Sequence, residues 1–376
     1  MYQDWAVSQG RGQYNARMNP LRILYNGWSF CHAPNHPATL HILTILAYLP
    51  EEIQAVIAFP DTPPPWTPSH VQVHVEPVPR LSRLQWEQRT LPALRQELEA
   101  HLLHLTTETA SLLNAQATVI SPTQPGDMPE TQPEGTPRPG LIPRLRAALA
   151  AGGTARTQAI FWPEDLPPRA GGIPLPPIVH PAFTPDEPPE PHIPGVKIPE
   201  TFVLCHTEDI PGLHRALEAW TWAAAPIGET YPLVFLGLRE ETRKEVETMA
   251  ATLGIQDTIV ALPALPPGWI ASLYQRAAVV FHPAPASAWG GAVRYALACG
   301  KPLVGIETAR ASAIVGPAAV LVDAGDTRRL GASVIGAIVK EVLAARLREA
   351  ALARTGNWRD AKWGLQLADM YRRISS

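Results

Sequence analysis

The stretch from Phe281 to Gly305, FHPAPASAWGGAVRYALACGKPLVG, decides the fold predicted for this chain. It begins as an apolar strand, passes through a loop of small residues, and becomes a helix of small and apolar residues after Gly290 and Gly291. The turn Gly300–Pro302 ends the helix, and a second apolar strand follows. A strand, a helix and another strand in this order predict one unit of an α/β sheet.

Similar apolar strands recur through the whole second half of the chain, with helices between nearly all of them. Six strands are predicted there, at Thr201–Cys205, Leu233–Leu236, Thr258–Ala261, Val279–His282, Pro302–Ile306 and Val320–Val322. Strands that alternate with helices of 10 to 15 residues favour a parallel sheet with both faces covered.

The first half of the chain repeats this alternation less regularly. Strands are predicted at Leu21–Tyr25, Ala55–Phe59, Val71–Val75, Ala117–Ile120 and Ala159–Trp162, and helices at Ala38–Tyr48 and Pro143–Ala151. Leucines recur every three to four residues between Leu84 and Leu113, which predicts a helical segment there. The first half therefore also predicts an α/β domain.

A proline-rich belt separates the two halves. The chain has 42 prolines, and 20 of them lie between Ser121 and Glu200, where they interrupt regular structure. We therefore divide the chain into five parts. These are a flexible leader (1–17), a first Rossmann-like domain (18–168), a linker (169–199), a second Rossmann-like domain (200–355) and a C-terminal helix (356–376).

The composition excludes several classes of function. Hydrophobic residues make up 46% of the 376 residues and charged residues 17%, which is typical of a globular chain. The net charge of -3 supplies no field that would attract nucleic acid, and no segment has the length of a transmembrane helix. We expect a cytoplasmic protein, with contact to the membrane surface left open.

Metal binding is also disfavoured by the sequence. The three cysteines, Cys31, Cys205 and Cys299, lie far apart and have no ligand-like spacing. His32, His36 and His41 lie close together, but no cysteine or glutamate completes a metal site at standard spacing. The sequence therefore predicts neither a metal site nor a bound cofactor.

The motifs of the second half resemble those of the retaining GT-B glycosyltransferases of family 4. The resemblance follows the segments Leu233–Gly237, Leu253-Gly254, Leu273-Tyr274, Phe281–Gly305 and Val315–Asp326 in order. In the first half, Arg83–Pro92 is similar to the family's Trp-Glu-Gln and Leu-Pro helix, and Ala368–Tyr371 is similar to its terminal helix.

The resemblance implies a fold and a reaction. The fold would be GT-B, with two Rossmann-like domains that face a cleft and a C-terminal helix that crosses back to the first domain. The reaction would transfer a sugar from a nucleotide sugar to a glycan or lipid-linked acceptor with retention of configuration.

The same resemblance assigns donor-binding positions within 281–305. The turn Ala298–Pro302 fixes the alignment, which places Ser287 and Tyr295 where the family has two glutamates, and Trp289 where it has an aromatic residue. The donor phosphates would lie at Gly290 and Gly291, where free N–H groups begin a helix. The alternative is that both glycines only permit a tight turn.

Members of the family also bind the donor diphosphate with an arginine and a lysine that follow the first strand of the second domain. This chain has neither residue after the corresponding strand, Thr201–Cys205. The candidate substitutes are His206, Arg215, Arg294 and Lys301. Each of these side chains also suits a solvated surface position, because isolated charges are mostly exposed.

The first domain contributes two further candidate regions. Asn35-His36-Pro37 replaces the Gly-Gly loop of the family, and a protonated His36 would supply charge where proline removes an N–H donor. Asp165 aligns with the second residue of the family's acceptor-side His-Asp pair. It would orient an acceptor hydroxyl, or alternatively only cap a turn.

Two functions therefore remain open at the level of the sequence. The chain is either a glycosyltransferase, with Asp165 and Ser287 in the catalytic region, or an inactive GT-B protein that serves as a partner subunit in an assembly. The second alternative rests on the replacement of family acids by Ser287, Tyr295 and Ala313 and on Pro37 and Pro211 in the phosphate loops.

Overall fold

We analysed a computed structural model of the chain. It describes residues 20–78, 83–106, 110–112, 117–123, 148, 152–186, 197–207 and 210–376. The predicted leader and nearly all of the predicted helix Pro143–Ala151 lie outside these ranges.

The first domain is built on a seven-stranded sheet whose neighbouring strands are all parallel. The order in the sheet is β3-β2-β1-β4-β5-β6-β7. The strands are β1 (Leu21–Asn26), β2 (Ile53–Phe59), β3 (Gln72–Val75), β4 (Leu102–Leu105), β5 (Thr118–Ile120), β6 (Ala159–Pro163) and β7 (Gly172–Leu175).

The second domain has a parallel sheet of six strands in the order β10-β9-β8-β11-β12-β13. The strands are β8 (Val203–Cys205), β9 (Leu233–Leu238), β10 (Ile259–Pro263), β11 (Val279–His282), β12 (Leu303–Ile306) and β13 (Ala319–Val322). Both sheets have the doubly wound topology, in which the strand order reverses beside the first strand of the domain. Ligands bind at such reversals, outside the carboxyl ends of the strands.

Helices cover the faces of the sheets. The first domain has α1 (Trp28–His32), α2 (Pro37–Tyr48) and α3 (Leu91–Glu97), and α3 follows a short helix (Arg83–Gln85) and a π-helical turn (Trp86–Thr90). The helices after β8 are α4 (Ile210–Ile227), α5 (Glu240–Thr252), α6 (Pro267–Arg276), α7 (Gly291–Ala298), α8 (Ala309–Val315), α9 (Thr327–Val339), α10 (Glu341–Thr355) and α11 (Lys362–Ser375), with 3-10 turns at Gln256–Thr258 and Gly316–Ala318.

Among the described helices, none is long and apolar enough to cross a membrane.

The helical prediction for Leu84–Leu113 is wrong in its second part. The helix ends with α3 at Glu97, and Glu99 has a positive φ of 49° that turns the chain. Leu102–Leu105 then forms β4, which is buried along its whole length and pairs with β1 and β5. A short apolar run satisfies both a helical period and a buried parallel strand, so periodicity alone does not separate them.

The predicted linker 169–199 also contains regular structure. Its residues Gly172–Leu175 form β7, which pairs with β6 and extends the first sheet to its edge. The following residues lie against the second domain, because the Gln275 side-chain amide donates to the carbonyl oxygens of Ala182 and Thr184 at 3.1 and 3.2 Å. Prolines here therefore end and shape a strand, as they do at sheet edges.

The C-terminal helix crosses back to the first domain, as the resemblance implies. Tyr371 on α11 is fully buried, and its hydroxyl lies 3.1 Å from that of Tyr25 on β1 and also contacts Nδ1 of His104 on β4. Gly364 on the same helix packs directly on the carbonyl oxygen of Tyr48 at the end of α2. Small and aromatic residues thus fix α11 on the first sheet.

We expect Gly364→Ala to destabilise the protein, because a methyl group would clash with the main-chain oxygen of Tyr48, which cannot move freely. The matched control is Gly336→Ala on α9, where an added methyl group meets no atom within 4 Å. Alanine is favoured over glycine inside a helix by about 1 kcal/mol, so the control should be neutral or stabilising. Thermal unfolding of both variants measures the difference, and a Gly364→Ala variant as stable as the control would contradict this packing.

Candidate functional site

The start of α7 lies where the sequence predicts the donor phosphates. Gly290 and Gly291 directly follow the loop after β11, and their φ angles are +63° and +79°. A Cβ at Gly290 would lie 2.7 Å from the hydroxyl of Tyr295, and one at Gly291 would lie 3.0 Å from Ser287. Positive φ and close neighbours therefore both require glycine at these two positions.

Residue Pro37 of the first domain covers this helix start. Its carbonyl oxygen lies 3.6 Å from the Cβ position of Gly290, and its ring carbon lies 3.7 Å from that of Gly291. Because Pro37 is the first residue of α2, the N-terminal ends of α2 and α7 meet across the cleft. The space in front of α7 is thus lined by the chain's own atoms.

The structure brings together Arg294 and Asp165, which the sequence places in different domains. The Nη1 and Nη2 atoms of Arg294 donate to the two carboxylate oxygens of Asp165 at 2.9 and 2.8 Å, and Nε donates to Ala288 O at 2.9 Å. The guanidinium also lies 5.0 Å from the ring centre of Trp358. Arg294 has no exposed surface, so this bidentate pair bridges the domains in a buried setting.

Trp289 makes a second contact across the cleft. Its indole N–H donates to the carbonyl oxygen of Phe161 on β6 at 3.2 Å, and its ring stacks on His41 of α2 with a centroid distance of 5.1 Å. The side chain is fully buried. It therefore acts as an anchor between the domains.

Asn35 forms a third contact and is fully buried. Its side-chain amide donates to Leu265 O at 2.8 Å, and Leu265 N donates to its side-chain oxygen at 3.1 Å. The ring of His206 lies 3.2 Å from the main-chain oxygen of Asn35. The loop residue predicted to approach a donor thus binds the second domain directly.

The prediction that His206 supplies positive charge is corrected by its surroundings. Burial, and to a smaller extent the neighbouring His282, lower the pKa of His206 to about 3. In the neutral ring, Nε2–H donates to Asn35 O, and Nδ1 accepts from the Tyr274 hydroxyl at 2.7 Å. His206 is therefore neutral at physiological pH and cannot replace a cation.

His36 is likewise neutral, which contradicts the idea of a charged substitute. Its Nδ1 accepts from the main-chain N–H of Ala38 at 3.0 Å and caps the start of α2. Burial lowers the pKa of His36 to about 4, and the charge of Arg83 acts in the same direction. An N-cap that accepts through Nδ1 needs the unprotonated nitrogen, so geometry and pKa agree.

Tyr295 stands on α7, at the position where the resemblance places a family glutamate. Its ring stacks on Phe183 with a centroid distance of 4.0 Å and an interplanar angle of 8°. Burial raises the pKa of its hydroxyl far above the ordinary value. A backbone hydrogen bond from Gly291 lowers the pKa of this hydroxyl, but burial has the larger effect. Tyr295 thus packs against the segment that joins the domains and carries no charge.

Lys301 does not join the cluster in front of α7, whereas Arg215 lies at the carboxyl ends of β11 and β13. Lys301 lies in the turn from α7 into β12, which is at the amino ends of the strands, opposite the cleft. Arg215 on α4 donates to the carbonyl oxygens of Ala324 and Pro283 at 2.9 and 2.5 Å. A turn that follows a helix and precedes a parallel strand always faces this opposite edge, so the placement of Lys301 is a correction that topology explains.

Sequence reasoning missed a buried hydrogen-bonded chain beside the cleft. It runs from the hydroxyls of Tyr25 and Tyr371 to His104, then to Ser121 Oγ at 2.7 Å, and on to His41 Nε2 at 3.0 Å. No motif joins these five residues, because they come from four strands or helices and one loop. The only sequence signal is a polar residue, His104, inside an otherwise apolar run.

Comparison with known proteins gives a match over part of the chain. Residues 206–354 match the family model described as "Glycosyl transferases group 1". A D-inositol 3-phosphate glycosyltransferase from Acidothermus cellulolyticus is 29% identical over 130 residues. That match covers 33% of this chain and only 29% of the length of the curated relative.

Solved structures resemble nearly the whole chain. Anabaena Alr3699/HepE in complex with UDP and glucose has a TM-score of 0.67 at 17% identity and covers 94% of this chain and 99% of its own. WaaG, a glycosyltransferase involved in lipopolysaccharide biosynthesis, has a TM-score of 0.66 at 15% identity, with 93% and 99% covered. The chain has the GT-B fold. These comparisons confirm the predicted resemblance to GT-B glycosyltransferases.

A third structure shares the GT-B fold across nearly the whole chain. Sucrose-phosphate synthase from Thermosynechococcus elongatus has a TM-score of 0.64 at 14% identity, with 94% and 98% covered. At such identities the likeness concerns the fold, while the match over residues 206–354 concerns the second GT-B domain in particular.

The buried neutral histidines make stability dependent on pH. Burial lowers the pKa values of His104 and His206 to about 3, whereas each ring binds a proton below about 6.5 in the unfolded chain. Between these values the unfolded state binds more protons, so stability falls as the pH decreases from 6.5. We expect a loss of about 2 kcal/mol per histidine at pH 5. Urea unfolding at pH 7.5 and 5.0 measures this loss, and equal stability at both values would contradict the neutral rings.

Proposed function

We propose that this GT-B protein is a glycosyltransferase that binds a nucleotide sugar in the cleft in front of α7. The observation that carries the proposal is the family match over residues 206–354, which includes the glycine turn and the whole of α7. The related Anabaena structure holds UDP and glucose, which supports a nucleotide-sugar donor for this fold.

The positive groups beside α7 support a donor diphosphate. The first turn of a helix presents free N–H groups and the positive end of the helix dipole. Arg294 lies beside this turn, since its Nε bonds to Ala288 O, and an arginine binds phosphate in the same two-pronged manner as it binds a carboxylate. Arg294 is therefore the cation that we assign to the donor.

Other parts of the function remain proposals on the resemblance alone. They are retention of configuration, a glycan or lipid-linked acceptor, a role for Ser287 beside Gly291, and a cytoplasmic location with contact to a membrane surface left open. Asp165 is held by Arg294, so a role for its carboxylate at the acceptor would require the two domains to separate.

A second candidate function is favoured by the packing of the cleft. Pro37 covers the start of α7, Tyr295 stacks on Phe183, and Asp165 occupies the guanidinium of Arg294. If these contacts are permanent, the protein is an inactive GT-B module whose surfaces serve a protein partner. The missing family carboxylates at Ser287 and Tyr295 agree with this alternative.

Donor binding separates the two candidates. We expect the enzyme to bind at least one of the UDP-, GDP- and ADP-sugars with micromolar to millimolar affinity in calorimetry. Arg294→Gln should weaken that binding about tenfold or more, because a charge-assisted phosphate contact is lost. The matched control is Arg372→Gln, which removes only the exposed pairs with Glu52 and Asp369 and should leave binding unchanged.

The opposite result would support the inactive module. A folded wild-type protein that gives no heat and no thermal shift with any donor removes the first candidate. The second candidate then predicts a stable complex with a specific protein, while a partnerless monomer counts against it.

A further inference from the structure

Asn35 fills a socket formed by the carboxyl ends of three strands in the second domain. Its three hydrogen bonds reach His206, which directly follows β8, and Leu265, which follows β10. Gly237 on β9 has a φ of +74°, and any side chain there would clash with the Asn35 amide. The socket therefore fits this side chain closely.

The socket lies at the carboxyl edge of the sheet, outside which doubly wound sheets bind their ligands, and its strand β8 borders the reversal of strand order between β8 and β11. The Asn35 amide offers a donor beside an acceptor to the carbonyl and N–H of Leu265. Nucleobases also present donors and acceptors side by side on their edges. The chain's own side chain thus satisfies main-chain groups with which a bound nucleotide would pair.

A cavity of about 650 Å³ lies next to this socket. Among its lining residues, Leu238 and Ala264 directly adjoin Gly237 and Leu265 in sequence. Its charged lining residues are Lys197, Arg239 and the ion pair between Arg243 and Glu240. Its volume is in the range of small-molecule sites, which run from about 300 to 1,000 Å³.

Asp165 is a second side chain of the first domain that binds a group of the second domain, as Asn35 does. Its carboxylate takes both terminal nitrogens of Arg294, which is the geometry that a phosphate group also adopts. Only 16% of the Asp165 side chain is exposed, and Arg294 is buried completely, so little water screens this pair. An anion can reach Arg294 only after Asp165 moves away.

We propose that Asn35 and Asp165 are built-in occupants of the nucleotide crevice, which a donor must displace, so that the first domain inhibits its own second domain when closed. This inference rests on the proposed function, because it takes the crevice to be a nucleotide site. The apparent affinity of such a protein is reduced by the fraction of molecules that are open. Loss of either occupant should therefore strengthen nucleotide binding.

The test uses the full-length chain with UDP, GDP and ADP as probes. For Asn35→Ala we expect binding that is about tenfold tighter in calorimetry, because two hydrogen bonds of the closed state are lost. Small-angle scattering should show a larger radius of gyration without nucleotide. Asp165→Asn gives an independent second variant, for which tighter binding and a larger radius of gyration are also expected.

The matched control is Thr258→Val, which removes the 2.9 Å hydrogen bond from Trp220 Nε1 inside the second domain. It should lower stability to a similar extent without a change in radius of gyration or affinity. The control thus distinguishes the effect of removing a side chain from the crevice from the effect of a general loss of stability.

The outcomes distinguish the inference from the function on which it rests. Nucleotide binding by the wild type that neither variant strengthens, with an unchanged radius of gyration, overturns the inference and leaves the proposed function standing. Variants that have a larger radius of gyration but bind no nucleotide overturn the proposed function. They also overturn the inference that a nucleotide displaces these side chains.

Discussion

The closed arrangement of this protein depends on a guanidinium that has no contact with water. Arg294 is fully buried, and a buried charge is costly unless it is paired and hydrogen-bonded. Asp165 supplies both carboxylate oxygens, Ala288 supplies a carbonyl oxygen, and the ring of Trp358 covers the planar group. Because these partners come from the first domain, the site loop and the segment before the C-terminal helix, one side chain holds three parts of the molecule together.

The remaining cleft contacts surround this pair and, like it, join the first domain to the second. Trp289 reaches Phe161, Asn35 reaches Leu265, and Pro37 rests against the glycine turn. All of these contacts lie along the cleft. Under the proposed function, donor binding and the packing of this domain interface would compete for the same residues.

Much of the candidate site could be located from sequence, but the state of its residues could not. The glycine pair Gly290-Gly291 and the candidate positions Trp289, Arg294 and Tyr295 follow from local pattern and resemblance. That His206 and His36 are neutral follows from burial, which depends on residues far away in sequence. Lys301 lies at the amino ends of the strands because it follows α7 and precedes β12. This placement becomes visible only when the motif is mapped onto the sheet.

The sequence by itself determined the doubly wound domains, since apolar strands that alternate with helices have few other ways to bury their surfaces. It also determined where the chain turns, through the glycines and prolines whose backbone angles are restricted. Only the tertiary structure decided that Leu102–Leu105 is a strand, because pairing with β1 and β5 overrides a helical period. It likewise decided that Asp165 meets Arg294, a contact across 129 positions that no local pattern encodes.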